Sequence, residues 1–259
     1  MIRVTDGGLV YYQFAGLRGE PGLRHACFTR LGGVSRPPYA TLNVGASVGD
    51  DPEAVATNRE RCLAALGFDP SQAVSPYQVH GTVVARVSHE QRGQLLPATD
   101  GLVTAERGVG LLLRFADCAP IMLYDRRRSV VGLVHAGWKG TLEGIAAVAA
   151  RAMQAHFGSR PADLWAGIGP AIGRCCYEVG ADLAEHFRRK FGPRVLAGSC
   201  PPRLDLAAAS GVALEELGVC EIEQADLCTA CHHDEFYSHR REGGRIGRLA
   251  VIVGLAAEM

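Results

Sequence analysis

The 259 residues are 47% hydrophobic and 21% charged, a balance that excludes disordered, collagen-like and coiled-coil chains and predicts one large folded domain or two small ones. Lysine and arginine together number 27, as do aspartate and glutamate, so no net positive field gathers nucleic acid or an anionic membrane, and a small-molecule partner is expected. Apolar runs such as 249–257 and 109–113 fall well short of the roughly 20 residues needed to cross a bilayer.

Asp6 and two glycines stand where a secretory signal would need a basic start and an apolar run, so a cytoplasmic location is expected. Nine cysteines form an odd, scattered set in a chain large enough to build a core without staples. They are therefore read as small buried residues or as metal-binding or catalytic thiolates, not as a disulfide framework.

In chain order, residues 24–29 read as a strand, followed by a loop over 31–50 that is long enough to line a site. Asp51-Pro52-Glu53 opens a helix with Val55, Cys62, Leu63 and Leu66 on one face, and Gly67 closes it. The middle of the chain predicts strands at 82–87, 101–104, 110–115, 121–124 and 129–135. Arg126, Arg127 and Arg128 fall at a solvated hairpin tip between the last two. A single helix over about 141–157 carries Leu142, Ile145, Ala149, Ala152 and Met153 at core spacing. Further strands are predicted at 164–168, 220–225 and 249–253, and helices near 181–191 and 205–217. With no repeat, low-complexity tract or linker, the reading is one domain over 1–259. Its class is α/β (α+β), with a mixed central β-sheet and flanking helices.

Three segments put metal-capable side chains where strands give way to loops: Gln78-Val79-His80-Gly81, Ala116-Asp117-Cys118-Ala119-Pro120 and Val134-His135-Ala136-Gly137-Trp138. Two imidazoles and one thiolate suit a borderline-soft ion such as Zn²⁺ and leave a fourth position for water or substrate. The same residues also read as buried His and Cys without metal. Gly137, Gly140 and Thr141 begin a predicted helix beside Lys139, where backbone N–H groups could hold an anion; the alternative is a tight turn capped by Thr141. Asp117 could orient a ligand, move a proton or bond the backbone at a strand end. Cys228 and Cys231 make a CxxC followed by His232 and His233, which without a second CxxC specifies neither a metal site nor a redox pair. In the segment from Phe236 to Arg241, aromatics and guanidinium groups could stack a base and hold an oxyanion, or form a surface strand.

Together these segments resemble the YfiH-like laccase-domain family, whose members carry the names polyphenol oxidase, purine nucleoside phosphorylase and peptidoglycan editing factor. The resemblance runs through Thr41-Leu42-Asn43, Val48-Gly49-Asp50-Asp51, Asn58-Arg59, Gln78-Val79-His80-Gly81, Asp100-Gly101-Leu102-Val103-Thr104 and Ala116-Asp117-Cys118. It continues through His135-Ala136-Gly137-Trp138, Gly169-Pro170-Ala171-Ile172, Tyr177-Glu178-Val179, Cys228-Thr229 and the 236–241 segment. It implies zinc on His80, Cys118 and His135. It also implies phosphorolysis of adenosine, inosine and methylthioadenosine, adenosine deamination, and purine nucleoside and inorganic phosphate as partners.

Within this reading Cys118 and Asp117 are the candidate catalytic residues, and Arg59, Lys139 and Arg240 the candidate substrate-binding residues. The alternatives are a cytoplasmic amidase acting on a peptidoglycan precursor, using metal or Cys118 as nucleophile, and a copper-dependent polyphenol oxidase. The last is disfavoured because nine histidines with one adjacent pair supply no multicopper cluster. A non-enzymatic zinc- or nucleoside-binding protein would instead saturate its metal with a fourth ligand.

Overall fold

Gly7 and Gly8, both in the left-handed region (φ 53° and 81°), give the backbone twist that a two-residue hairpin needs. Strand β1 (Ile2–Asp6) therefore folds back on β2 (Leu9–Gln13) with Asp6 opposite Leu9, a hairpin outside the elements read from the sequence. The computed structural model describes residues 1–257.

Strand β3 (Leu23–Phe28) leads through the long loop to helix α1 (Pro52–Ala64). The Asp51 side chain caps this helix by accepting from the Glu53 amide at 3.0 Å, and Val55, Cys62 and Leu63 are buried on its inner face. There follow β4 (Ala73–Pro76), β5 (Val84–Arg86), β6 (Leu95–Leu96), β7 (Gly101–Thr104), β8 (Val109–Phe115), β9 (Ala119–Asp125) and β10 (Val130–Ala136). Each of the five strands predicted here is present.

The helix predicted over 141–157 is two helices, α2 (Trp138–Glu143) and α3 (Ile145–Phe157). Gly144, at φ 88°, breaks the helical path, while the apolar spacing continues across it. Strand β11 (Leu164–Ile168), α4 (Ala181–Phe191), the short pair β12 (Leu196–Ala197) and β13 (Arg203–Leu204), α5 (Leu206–Glu216), β14 (Glu221–Gln224), α6 (His239–Glu242) and β15 (Leu249–Leu255) complete the chain.

The α+β class with mixed pairing is as predicted, but the single central sheet expected from the sequence is two large sheets packed face to face. One runs β1-β2-β3-β15-β8-β4-β6 and the other β14-β11-β9-β10-β7-β5. Leu111, Leu113, Val251 and Val253 of the first pack against Met122, Tyr124, Val131 and Leu133 of the second. Helix α1 covers the outer face of the first sheet through Cys62 and Leu63. Helices α3, α4 and α5 cover the outer face of the second, where Ile145, Ala149 and Met153 meet Ile121 and Leu123. The layers run helix, sheet, sheet, helix. At the β9–β10 tip the arginines are ion-paired, not merely solvated: Arg126 contacts Glu20 at 2.6 Å and Glu221 at 2.8 Å, and Arg128 contacts Asp163 at 3.1 Å.

Candidate active site and metal centre

The turn between β8 and β9 is tight enough to need Asp117 in the left-handed region (φ 82°), and it presents Cys118 beside His135, the penultimate residue of β10. His80, also left-handed (φ 59°), comes from the turn between β4 and β5. The ligand-capable atoms of His80, Cys118 and His135 lie within 4.8 Å of one another, and the two imidazole rings meet edge to face with centroids 4.8 Å apart.

One carboxylate organises this group. Pairing of β7 with β10 sets Gly101 opposite Val134, which brings Asp100 beside His135. Asp100 Oδ1 lies 2.9 Å from His135 Nδ1, and the Asp100 oxygens accept from the amides of Val79, His80 and Gly81 at 3.0, 2.9 and 2.8 Å. With Nδ1 engaged by Asp100, the rest of the His135 ring is turned to the Cys118 sulfur, the carboxylate–histidine arrangement that orients imidazole ligands. Burial alone would push the Cys118 thiol up, but His135 and His80 outweigh it and bring it down to about 6. Burial would likewise lower His135, but the Cys118 sulfur and Asp100 outweigh it and raise it to about 9. A thiolate and two oriented imidazoles on one side of a cavity fit a divalent ion with an open coordination position.

Helix α2 begins against this group. A Cβ on Gly137 would lie 2.9 Å from His80 Cδ2 and 3.1 Å from Cys118 Sγ, and one on Gly140 would lie 2.9 Å from the Gly81 carbonyl. These glycines are therefore needed for close packing on the turns that carry His80 and Cys118. Lys139 is exposed and is not among the residues lining the cavity.

The cavity measures about 510 Å³, and its walls include Tyr77, Trp138, Tyr177, Arg114, Arg240 and Arg248 together with the three ligand candidates. Arg114 donates to the Pro76 carbonyl and to Gln78 Oε1. Arg248 donates to the carbonyls of Ile246 and Gly247, and Arg240 donates to that of Glu178. None of the three has a carboxylate partner among the described residues. Burial, with Arg59 and Arg248 nearby, lowers Arg114 to about 10, so this wall carries concentrated positive charge. Arg59 stands behind it, donating to the Val44 carbonyl at 2.9 Å, and does not line the cavity.

Asp117 lines the cavity, but both of its oxygens are taken: Oδ1 accepts from Thr229 Oγ1 at 2.6 Å and Oδ2 from the Arg240 amide at 2.7 Å. These contacts make Asp117 a positioning residue for Thr229 and the start of α6 as well as part of the cavity wall. Phe236 and Tyr237 are core residues, Tyr237 donating to the Tyr39 carbonyl at 2.6 Å, so no base stacks on them; of that segment, His239 and Arg240 reach the cavity. Sequence reasoning missed Asp100, Arg114 and Arg248 as site residues. The signals for Asp100 are its place before the Gly101 strand and at the head of the Asp100-Gly101-Leu102-Val103-Thr104 motif, neither of which says what its carboxylate binds.

A sandwich of two sheets whose loops bring two histidines and a cysteine to one cavity defines a metal-capable α+β protein. Residues 24–256 match the family described as multi-copper polyphenol oxidoreductase laccase, and the chain belongs to that family. It is 41% identical over 232 residues to a Deinococcus radiodurans protein named purine nucleoside phosphorylase, covering 89% of this chain and 88% of the relative. The crystal structure of YlmD from Geobacillus stearothermophilus superposes with a TM-score of 0.91 at 35% identity, covering 99% of both chains. That of the Bacillus licheniformis hypothetical protein YfiH gives 0.88 at 34% identity, covering 96% of this chain and 97% of the other. Among the described residues no helix is long and apolar enough to cross a membrane.

Proposed function

We propose that the chain is a zinc-dependent purine nucleoside phosphorylase acting on adenosine, inosine and methylthioadenosine, with adenosine deamination as a side activity. The observation that carries the reading is the convergence of three guanidinium groups without carboxylate partners, from Arg114, Arg240 and Arg248, on the cavity that His80, Cys118 and His135 also line. Planar guanidinium groups match the oxygens of inorganic phosphate and hold them by charge-assisted bonds. The name of the Deinococcus radiodurans relative supports the same reading. Nine free cysteines suit a reducing compartment, which supports a cytoplasmic location.

In this mechanism the arginines orient phosphate so that one of its oxygens bonds the ribose anomeric carbon as the glycosidic bond to the purine breaks. Tyr177 remains a phenol, since burial and the nearby Cys118 push it up to about 12, and it can offer its proton to the departing base. Arg240, 5.1 Å over the Tyr177 ring, links the phosphate wall to the base wall. Zinc, held by His80, Cys118 and His135, supplies Lewis acidity to this part of the cavity when bound.

The test incubates metal-analysed protein with adenosine, with and without inorganic phosphate, and resolves adenine, inosine, hypoxanthine and ribose-1-phosphate. Phosphate-dependent adenine and ribose-1-phosphate, lost in Cys118→Ala, are expected, and inosine marks deamination. Absence of turnover by zinc-loaded protein would sink the reading.

One observation favours a second reading, a cysteine amidase acting on a peptidoglycan precursor. The low-lying Cys118 thiol beside His135, itself held by Asp100 at 2.9 Å, is the arrangement of an activated nucleophile and its base. That enzyme would work without phosphate and survive chelation. Copper-dependent polyphenol oxidation is not favoured, because among the described residues the imidazoles lining the cavity are those of His80, His135 and His239 alone.

A further inference from the structure

Four cysteines that play no part in the proposed reaction meet beside the cavity wall. Cys175 and Cys176 lie in the turn between β11 and α4, and Cys228 and Cys231 in the loop between β14 and α6. A bridge between Ala171 and Cys228 joins the two loops. Through it the Thr229 amide donates to the Ala171 carbonyl at 3.1 Å, and the Ala171 amide to that of Leu227 at 3.2 Å. The four sulfurs lie within 4.8 Å of one another, and Cys231 Sγ is 3.4 Å from the sulfurs of both Cys175 and Cys176.

That spacing separates the chemical possibilities. Four sulfurs each about 2.3 Å from one ion in a tetrahedron stand about 3.8 Å apart, whereas a disulfide brings two sulfurs to about 2.05 Å. The backbone also engages one of the four sulfurs. Cys228 Sγ accepts from the Gly173 amide at 3.3 Å, and the amides of Cys231 and Ala230 support the same atom, the kind of outer contact that orients metal-bound thiolates. A Cβ on Gly173 would stand 3.3 Å from Cys228 Cβ and 3.4 Å from Cys175 Sγ, so a glycine is what lets the loops approach this closely.

We propose that Cys175, Cys176, Cys228 and Cys231 bind one zinc ion in a closed tetrathiolate site, distinct from the His80, Cys118 and His135 set. Binding releases the thiol protons to solvent and places one ion where two long loops meet. Its role is structural. Tyr177 directly follows Cys176, and Thr229, which follows Cys228, holds Asp117 at 2.6 Å, while the Arg241 guanidinium donates to the Ala230 carbonyl at 3.2 Å. The ion thus ties together the loops that carry the Tyr177–Arg240 wall.

Zinc content separates this site from the other. Full-length Cys118→Ala is expected to retain one zinc per chain, and adding Cys175→Ser and Cys231→Ser to remove it. Replacement of the retained ion by cobalt should give the thiolate charge-transfer absorption of a four-sulfur site. A second measurement needs no variant: wild-type protein is treated with iodoacetamide with and without prior metal removal. Cys200 and Cys220, both exposed, should react at once in either case, and the four clustered cysteines only after chelation. Folded Cys118→Ala without zinc, disulfides among the four in the freshly purified protein, or alkylation indifferent to metal would each overturn the proposal.

Discussion

Asp100 is the residue on which the geometry of the candidate metal centre turns, because it binds the ring of one histidine and the backbone of the other. Its carboxyl is lowered despite burial, through the hydrogen bonds from His135 and from the Gly81 and Val79 amides. Asp100→Asn keeps the size but sets an NH₂ group against donors. Loss of such an outer contact weakens metal binding about 10–100-fold. Titration of zinc against a chromogenic chelator should show that loss, and wild-type affinity in the variant would remove Asp100 from the role. Arg114 makes the corresponding prediction for phosphate. Bonds to charged groups contribute about 1.5–3 kcal/mol, so Arg114→Gln should raise KM for phosphate at least about tenfold, with a smaller change for adenosine. Lys139→Gln should leave both unchanged, and an equal rise in both constants for Arg114→Gln would argue against a phosphate contact. At this scale the strand-to-loop positions of His80, Cys118 and His135 singled them out but left metal ligands and buried residues both open, and it is the family resemblance that points to ligands. Asp100 was not legible, since its partner lies 35 positions on and only strand register brings the two together. Arg114 reads as one polar position in an apolar strand, and nothing local distinguishes it.

Helix α2 shows how an element can be dictated by the site it abuts. Its N-cap, Gly137, has an ordinary negative φ of −77°, so the demand for glycine there comes from the ligand side chains and not from the backbone. Gly144 is the reverse case: it sits at φ 88° with Lys190 Nζ, 3.8 Å away, as the nearest atom to an added Cβ. Gly144→Ala therefore meets no clash and carries only the left-handed penalty, about 1–2 kcal/mol. Urea unfolding should register that loss with zinc content unchanged, whereas Gly137→Ala should lose the zinc of the His80, Cys118 and His135 set. A Gly144→Ala protein as stable as wild type would mean the α2–α3 junction relaxes into one continuous helix. The junction was illegible in the sequence because Leu142, Ile145 and Ala149 keep helical spacing across it, and periodicity records which side chains face the core but not a turn of the path between them. By contrast, the start of α1 was readable from Asp51-Pro52-Glu53, where a capping carboxylate and a proline at the first turn open a helix locally.

For the whole molecule, the number of sheets was the least legible feature. Strands β9, β10 and β15 are buried along their full length, since one face meets the opposite sheet and the other meets helices or neighbouring layers. A strand covered on both faces loses the alternation that would assign it to a sheet. The same burial gives the fold a pH dependence through His25 on β3, which is 3% exposed and accepts the Phe14 amide at 3.0 Å. Burial lowers His25 from 6.5 to about 4, with Glu223 only partly opposing it. Between these values the unfolded chain binds a proton that the folded chain does not, so stability rises with pH across the window. The contribution is complete above about 6.5 and is lost as pH falls toward 4; at pH 5 the loss is about 2 kcal/mol. Urea midpoints at pH 7 and pH 5 should separate by that amount more in wild type than in His25→Gln, whose amide can accept from Phe14 without titrating. Equal separations in the two proteins would mean that acid destabilises the fold through its carboxylates, leaving His25 without a part in it.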